Sequence, residues 1–166
     1  MQLTHYTTNF NKKTFPITLV CENVTNAPNI GSLFRIADAF GVEKIIFCSH
    51  DIPLGRKMTK TSRATEKVVN YEVIEDIAAV LSSLKASNNQ CFALEITENS
   101  TPIHTFNFSA DKPIALIIGD ENFGVSEAVL KACDNVIHIN MFGQNSSMNV
   151  VQATNIALYE ITKQLY

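Results

Sequence analysis

The sequence lacks the features of a membrane protein and of a disulfide-stabilised secreted protein. Nowhere do about eighteen apolar residues follow one another, and no long apolar run opens the chain, so neither a membrane span nor a signal peptide is predicted. The cysteines are scattered singly, without a Cys-x-x-Cys pair. They are Cys21, Cys48, Cys91 and Cys133. We therefore expect a cytoplasmic protein with reduced, buried thiols.

Two glycine-rich motifs for nucleotide binding are also missing. The chain has no Gly-x-Gly-x-x-Gly after its first apolar run and no Gly-x-x-x-x-Gly-Lys-Ser/Thr. A dinucleotide fingerprint and a phosphate-binding loop are therefore excluded. The four histidines, His5, His50, His104 and His138, show no paired spacing. No metal site is expected from them.

The composition is that of one globular domain spanning residues 1–166. With 46% hydrophobic and 17% charged residues, a chain of 166 residues is able to bury a core. Its net charge of -3 argues against a protein that grips nucleic acid with its whole surface. Positive charge is concentrated in one stretch, at Arg56, Lys57, Lys60, Arg63 and Lys67. This stretch is either a solvated loop and helix face or a patch that contacts phosphates.

The apolar pattern predicts strands that alternate with helices. Strand-like runs occupy residues 17–21, 44–48, 68–71, 91–94, 114–118 and 136–139, and helical spacing occupies 30–40, 74–84, 126–133 and 147–164. The unbroken apolar run 114–118 is typical of a central strand that is covered on both faces. Residues 97–109 are expected to form a surface loop. The predicted fold is a mostly parallel sheet flanked by helices.

Three polar clusters stand where an apolar run meets a helical pattern. They are 26–35 (NAPNIGSLFR), 119–126 (GDENFGVS) and 145–150 (NSSMNV). Loops that leave the carboxyl ends of strands carry the binding and catalytic groups of α/β proteins. Gly119 follows the central strand directly, where a missing Cβ lets a ligand lie against the main chain, and Gly124 permits the turn into the next helix. A simple helix-entry turn is the alternative.

In this order, the three clusters resemble the motifs of the SpoU (TrmH-like) branch of the SPOUT methyltransferases. The resemblance extends from Asn26 to the last helix. It implies an α/β domain whose C-terminal segment forms a deep trefoil knot. It also implies a homodimer that transfers a methyl group from S-adenosyl-L-methionine to a ribose 2′-hydroxyl of tRNA or rRNA.

The resemblance assigns a cofactor cradle by position. The matching residues are Leu94, Gly119, Ile139, Met141 and Met148. Backbone amides and carbonyls would make most of the contacts, and apolar side chains would lie against the adenine. For each of these residues alone, ordinary core packing is the alternative.

Arg35 matches the catalytic arginine of the family. Because a guanidinium stays protonated in proteins, an unassisted role as general base is chemically awkward. We expect Arg35 to bind the target phosphate and ribose, while a phosphate oxygen or another group helps to take the hydroxyl proton. The structural alternative is a surface arginine paired with Asp38.

Polar residues of the three clusters would position Arg35 and the substrate. The matching residues are Asn29, Glu121, Ser147 and Asn149. Each has a structural alternative. Asn29 could cap the first helix, Glu121 could interact with a helix dipole, and the two residues of the third cluster could cap the last helix.

Two functions from other classes remain as alternatives. One is a noncatalytic RNA-binding module that retains the fold, against which the retained polar residues of the clusters argue. The other is a Rossmann-like or flavodoxin-like small-molecule binder, which the alternation of strands and helices alone suggests. It predicts an unknotted chain without affinity for the methyl donor.

Overall fold

One parallel sheet organises the chain in the computed structural model, which describes residues 2–4 and 7–166. Within this part of the chain its strands are β1 (Phe15–Glu22), β2 (Val42–Cys48), β3 (Tyr71–Val73), β4 (Gln90–Leu94), β5 (Thr101–Pro102), β6 (Ile114–Ile118) and β7 (Asn135–His138). They lie in the order β3-β2-β1-β6-β4-β7-β5, and every neighbouring pair is parallel. The predicted mostly parallel sheet is confirmed.

Helices cover both faces of this sheet. They are α1 (Ala27–Ala39), α2 (Arg56–Ser62), α3 (Ile77–Ala86), α4 (Glu127–Ala132) and α5 (Val150–Leu165), and short 3₁₀ helices span Thr65–Lys67 and Ile103–Thr105. Side chains from α1, α2 and α5 pack on one face, and those from α3 and α4 pack on the other. Alternate strand residues point to opposite faces, so Leu19 belongs to the first core and Val20 to the second.

The run 114–118 forms the central strand, as predicted. β6 lies between β1 and β4, and all five of its residues are buried. The carboxyl ends of β4, β6 and β7 therefore come together at one edge of the sheet. Ser126 caps the following helix α4, also as predicted, by accepting a hydrogen bond from Val129 N.

Three predicted boundaries were wrong because local hydrogen bonds override the apolar pattern. Residues 68–70 precede β3 rather than belonging to it, since Val69 N donates to Thr65 O at 3.0 Å and extends the 3₁₀ turn. Helix α3 begins at Ile77 rather than residue 74, because the Asp76 side chain caps it. Helix α5 begins at Val150 rather than residue 147, because Asn149 caps it.

The segment 97–109 is not a simple surface loop. It contains β5, which pairs with β7, and Ile103 and Phe108 from it are buried. Phe106 and Phe108 pack their rings against Phe92 of β4 at centroid distances of 5.1 Å. The aromatic residues thus anchor this segment to the core.

All four cysteines are free, and three of them, Cys21, Cys48 and Cys91, are buried as expected, whereas Cys133 is only partly buried. Burial raises the pKa of the Cys91 thiol to about 11 and that of Cys48 to about 12. Both thiols therefore remain protonated and unreactive near neutral pH. Among the described residues, no helix has the length and apolar character needed to cross a membrane.

The helix pair α1 and α2 packs most closely at Gly31. A Cβ there would overlap Thr61 Oγ1 and the Met58 carbonyl oxygen, and would lie 2.9 Å from Ser62 N. The Thr61 hydroxyl also donates to the Pro28 carbonyl oxygen at 3.1 Å. The absence of a side chain at Gly31 therefore sets the distance between the two helices.

We expect Gly31→Ala to destabilise the protein by about 1–3 kcal/mol, because the added methyl group forces the helices apart. Urea unfolding measures this change, and Gly143→Ala is the control, since nothing lies within 4 Å of a Cβ at that position. A Gly31→Ala variant as stable as the wild type would contradict this account of the packing.

Candidate functional site

A cleft of about 650 Å³ opens where β4, β6 and β7 end, and we call it the carboxyl-edge cleft. Its volume lies in the range typical of small-molecule sites. All five residues matched to the cofactor cradle line this cleft. They come from three separate segments of the chain. The five residues are Leu94, Gly119, Ile139, Met141 and Met148.

A second cleft, of about 540 Å³, lies at the opposite edge of the sheet. Its lining is polar and charged, including Lys85, Asp111 and Asp134, and it contains no residue of the three clusters. Ligands of open parallel sheets bind outside the carboxyl ends of the strands. The carboxyl-edge cleft is therefore the candidate site.

The two glycines beside this cleft are required by the loop itself. A Cβ at Gly119 would overlap the backbone of Gly124 and Val125, so the loop packs directly against the end of β6. The expected reason for Gly119, space for a ligand, is therefore incomplete. Gly124 adopts a φ of +66°, and a Cβ there would overlap the Glu95 carboxylate. The predicted turn at Gly124 is confirmed.

Two carboxylates hold the end of this loop. Glu95 Oε2 accepts a hydrogen bond from Val125 N at 2.9 Å. The buried Glu22 accepts from Ser126 N at 2.8 Å and from the Ser126 hydroxyl at 2.6 Å. Charge-assisted bonds of this kind compensate for the burial of a carboxylate. Sequence analysis missed both residues, although each stands at the end of an apolar strand.

The three polar clusters meet at Asn149. Its Nδ2 donates to Asn29 Oδ1 at 3.3 Å and to Glu121 Oε1. Its Oδ1 accepts from the N-terminal backbone of α5, from Val151 N at 2.8 Å and Gln152 N at 3.4 Å. Both donor hydrogens and both lone pairs of the amide are thereby used. Asn149 caps the last helix and joins the clusters at the same time.

The structure also decides between the alternatives for Asn29 and Glu121. Asn26, not Asn29, caps α1, since the Asn26 side chain accepts from Asn29 N at 3.1 Å. The capping alternative for Asn29 was therefore wrong. Through its bond to Asn149, the Glu121 carboxylate lies at the N-terminus of α5, where the helix dipole favours a negative charge. The orienting contact and the dipole interaction coexist.

Arg35 and Ser147 are not part of this hydrogen-bond network. Arg35 is exposed on α1, and within residues 2–4 and 7–166 it forms no ion pair, so the alternative pairing with Asp38 is not observed. Ser147 is exposed and lines the carboxyl-edge cleft, and it does not cap α5 because Asn149 does. The side chains of Arg35 and Ser147 are both accessible to a ligand.

Two of the described histidines, His50 and His138, have hydrogen-bond partners, while His104 is exposed on the second 3₁₀ helix. His138 bonds to Ser100 Oγ and Asn140 Oδ1, each at 2.9 Å, which ties the strand end to the neighbouring loops. His50 pairs with Glu75 on the surface at 3.1 Å, while His5 lies outside the described residues. In the part of the chain that the structure describes, no three His, Cys, Asp or Glu side chains are grouped to hold a metal ion.

Comparison with known proteins finds curated relatives of this sequence. A curated 23S rRNA (guanosine-2′-O-)-methyltransferase of Burkholderia sp is 28% identical over 150 residues, which are 90% of this chain and 60% of that protein. The chain thus spans less than two thirds of that relative's length.

Two solved structures superpose over most of the chain. The TrmH/SpoU tRNA modifying enzyme of A. aeolicus does so with a TM-score of 0.83 and 27% identity, covering 92% of this chain and 77% of that one. The SpoU methyltransferase AviRb of Streptomyces viridochromogenes, in complex with AdoMet, gives a TM-score of 0.81 and 25% identity, covering 93% and 62%.

A sequence profile of one family matches nearly the whole folded chain, from residue 16 to residue 159. The matched range contains all three polar clusters and ends within α5. The protein therefore belongs to the SpoU rRNA Methylase family.

Proposed function

We propose that this protein is an S-adenosyl-L-methionine-dependent RNA methyltransferase that methylates a ribose 2′-hydroxyl in tRNA or rRNA. The observation that carries the proposal is the meeting of the three motifs at Asn149, beside a cleft of suitable volume. The relative from Burkholderia is named for this reaction on 23S rRNA, and the AviRb structure contains the methyl donor.

The two alternative functions fit these observations less well. A noncatalytic RNA-binding module has no use for an assembled network of Asn29, Glu121 and Asn149. Membership of the SpoU family argues against a Rossmann-like or flavodoxin-like binder.

The carboxyl-edge cleft suits the methyl donor. Leu94, Ile139 and Met148 offer apolar surface for an adenine, and the backbone next to Gly119 is available for hydrogen bonds at the strand end. Glu95 and Glu22 accept hydrogen bonds from Val125 N and Ser126 N, and they hold the end of the loop that packs against Gly119 before a ligand arrives. When bound, the donor supplies an electrophilic methyl carbon on its sulfonium.

Arg35 binds the phosphate and ribose of the target nucleotide. It forms no ion pair within the described residues, so two N–H groups of its planar guanidinium can donate to one phosphate. Asn29 and Arg35 lie on the same helix, with their Cα atoms about 9 Å apart along its axis. The hydroxyl proton passes to a phosphate oxygen or to another group, since Arg35 has no acceptor.

The five basic residues of 56–67 form an RNA-binding surface. All five are exposed, and none is in an ion pair in the described part of the chain. The stretch contains one acidic residue, Glu66. The Ser62 hydroxyl donates a hydrogen bond to the Glu66 carboxylate and lowers the pKa of that carboxyl. Because α2 packs against α1 at Gly31, this positive surface adjoins the helix that carries Arg35.

The protein acts as a homodimer whose substrate site is shared between protomers. In support, the outer side of α5 exposes two large apolar side chains three residues apart, Ile156 at 41% and Tyr159 at 61% exposure. A helix face of this kind is a common contact between copies of a chain. Leu158 and Ile161 on the opposite side are fully buried in the core, so the exposed pair is not needed for folding.

The remaining expectations follow from the family. Residues 1–166 form one methyltransferase domain, supported by a core that extends from Phe15 to Ile161. The C-terminal segment forms a trefoil knot. In support, the segment crosses the carboxyl edge of the sheet between β7 and α5, and α5 packs against α1. An RNA substrate favours the cytoplasm as the site of action.

Arg35→Ala should leave the affinity for S-adenosylhomocysteine unchanged while it lowers the rate of methyl transfer by about 100-fold, because a lost phosphate contact misplaces the ribose. Calorimetry gives the affinity, and labelled methyl transfer to RNA from a strain lacking the protein gives the rate. Arg35→Lys should also fail substantially, since an ammonium cannot reproduce a bidentate contact.

Asp38→Asn is the matched control, since Asp38 is exposed on the same helix and should not affect the rate. Full activity of Arg35→Ala would refute the assigned role. A loss of S-adenosylhomocysteine affinity in this variant would instead place Arg35 in the donor site.

Reversing the charge of Arg56, Lys57 and Lys60 together should weaken RNA binding and reduce its salt slope by about two to three, because fewer counterions are released. Binding isotherms at several salt concentrations measure the slope. The control reverses Lys12, Lys112 and Lys131, which lie outside the stretch and give the same change in net charge. Equal slopes in the two triple variants would make the stretch an ordinary solvated surface.

The double variant Ile156→Glu and Tyr159→Glu should convert the dimer to a folded monomer, because two buried charges at the contact are unfavourable. Sedimentation equilibrium measures the mass, and circular dichroism checks the fold. Ser82→Glu combined with Ser83→Glu, at exposed residues of α3 on the other face of the sheet, serves as the control. A monomeric wild type, or a double variant that still dimerises, would show that this face is not the interface.

A further inference from the structure

Two phenylalanines are almost fully exposed beside the carboxyl-edge cleft. Phe123 lies on the loop between β6 and α4 with 90% exposure, and Phe142 lies on the loop between β7 and α5 with 95% exposure. Phe123 lines the cleft directly, and Phe142 follows Met141, which also lines it. Single exposed apolar residues are common, but one such ring on each of two loops that bound the same cleft is a patterned feature.

These two rings differ from the aromatic residues that pack against one another inside the fold. Phe34 and Phe47 pack together at 5.5 Å in one core, and Phe92, Phe106 and Phe108 pack at about 5 Å around the segment 97–109. Within the described part of the chain, neither Phe123 nor Phe142 is paired with another ring. Their faces are therefore available to a partner from outside the chain.

The position of Phe123 is fixed by a hydrogen-bonded turn. Asp120 Oδ1 accepts from Asn122 N at 2.7 Å and from Phe123 N at 2.9 Å. The Asp120 carbonyl oxygen accepts from Gly124 N at 2.8 Å and closes the turn. The ring is thus presented to solvent by an ordered backbone, which lowers the entropic cost of binding a partner.

We propose that Phe123 and Phe142 form an aromatic platform that stacks on the base of the nucleotide being methylated. The inference rests on the proposed function. A ribose hydroxyl can reach a donor inside the cleft only if its nucleotide leaves the helical stack, and its base then loses its neighbours. Phe123 is two residues from Glu121, so the platform adjoins the polar network that would receive the ribose.

The surroundings of the two rings favour a single base over a protein partner. The neighbouring residues are exposed and polar or small: Asn122, Gly143, Gln144, Asn145, Ser146 and Ser147. A stable protein interface needs a continuous, largely apolar centre, which these residues interrupt. Stacking on an aromatic face accepts any base, so the platform selects an unpaired nucleotide rather than a particular sequence.

The absence of tryptophan from the chain makes the platform measurable. Phe123→Trp and Phe142→Trp each introduce a single indole whose fluorescence reports stacking. The probes are a ten-nucleotide oligoadenylate and an abasic ribose-phosphate oligomer of the same length, which carry equal charge. We expect the oligoadenylate to quench each indole and the abasic oligomer to leave it unchanged.

The double variant Phe123→Ala and Phe142→Ala should bind the oligoadenylate about tenfold or more weakly, with unchanged affinity for the abasic oligomer. Phe10→Ala removes a phenylalanine with 84% exposure elsewhere on the chain and should affect neither probe. The unaltered abasic affinity is what a loss of stacking predicts and what general unfolding would not produce.

Equal losses for the two oligomers, or no loss for either, would overturn the platform. A change of sedimentation mass in the double variant would overturn it in favour of a contact between copies of the chain. Failure of the proposed function is distinguishable, because it would appear as a wild type that neither binds S-adenosylhomocysteine nor transfers a methyl group. Methyl transfer by a wild type that does not distinguish the oligomers would refute the platform alone.

Discussion

One side-chain amide, that of Asn149, holds the candidate site together. Its oxygen faces the first backbone N–H groups of α5, so its nitrogen must face Asn29 and Glu121. Only asparagine meets these demands at this position. Aspartate would place a second carboxylate beside Glu121, and serine is too short to reach both segments. Residues far apart in the sequence thereby acquire a fixed mutual geometry.

The second constraint is the rigidity of the loop that follows β6. Its glycines allow the backbone to pack on itself, and carboxylates from two other strands, Glu22 and Glu95, accept its N–H groups. These bonds fix the wall of the carboxyl-edge cleft, which Glu95 and Val125 themselves line. The loop can therefore present Glu121 and Phe123 outward while its base remains immobile.

The basic surface and the exposed rings account for how a protein of negative net charge could bind RNA. Its five cations are concentrated on and just after α2, and α2 is held against α1 by the close approach at Gly31. Electrostatic attraction would be local to the helix that carries Arg35. Stacking on Phe123 and Phe142 would then supply a contribution that does not depend on charge.

The sequence predicted the features that depend on long patterns. The central strand at 114–118 and the parallel sheet follow from apolar runs, whereas the residues matched to the cofactor cradle came from the resemblance to the SpoU motifs. The sequence-based prediction was wrong where a single capping side chain determines the first residue of a helix. Asp76 and Asn149 cap two helices and so set their first residues, and Asn26 caps α1, which excludes the structural alternative for Asn29.

Polar contacts between residues far apart in the chain also could not be predicted from the sequence. The hydrogen bond from Ser126 to Glu22 joins residues 104 positions apart, and no local sequence pattern predicts such a pair. The crowding at Gly119 likewise arises from residues that return after a turn, so the expected space for a ligand is only part of the reason for this glycine. Periodicity reports which face of an element is buried, but not which polar atoms meet at its end.

The most direct test of the central claim maps methylated nucleotides in tRNA and rRNA by mass spectrometry. The strains compared lack this protein or carry either the wild type or Asn149→Ala in its place. The account predicts that a ribose 2′-O-methyl group present with the wild type is missing from both other strains. Loss of a base methylation instead, or full ribose methylation with Asn149→Ala, would contradict it.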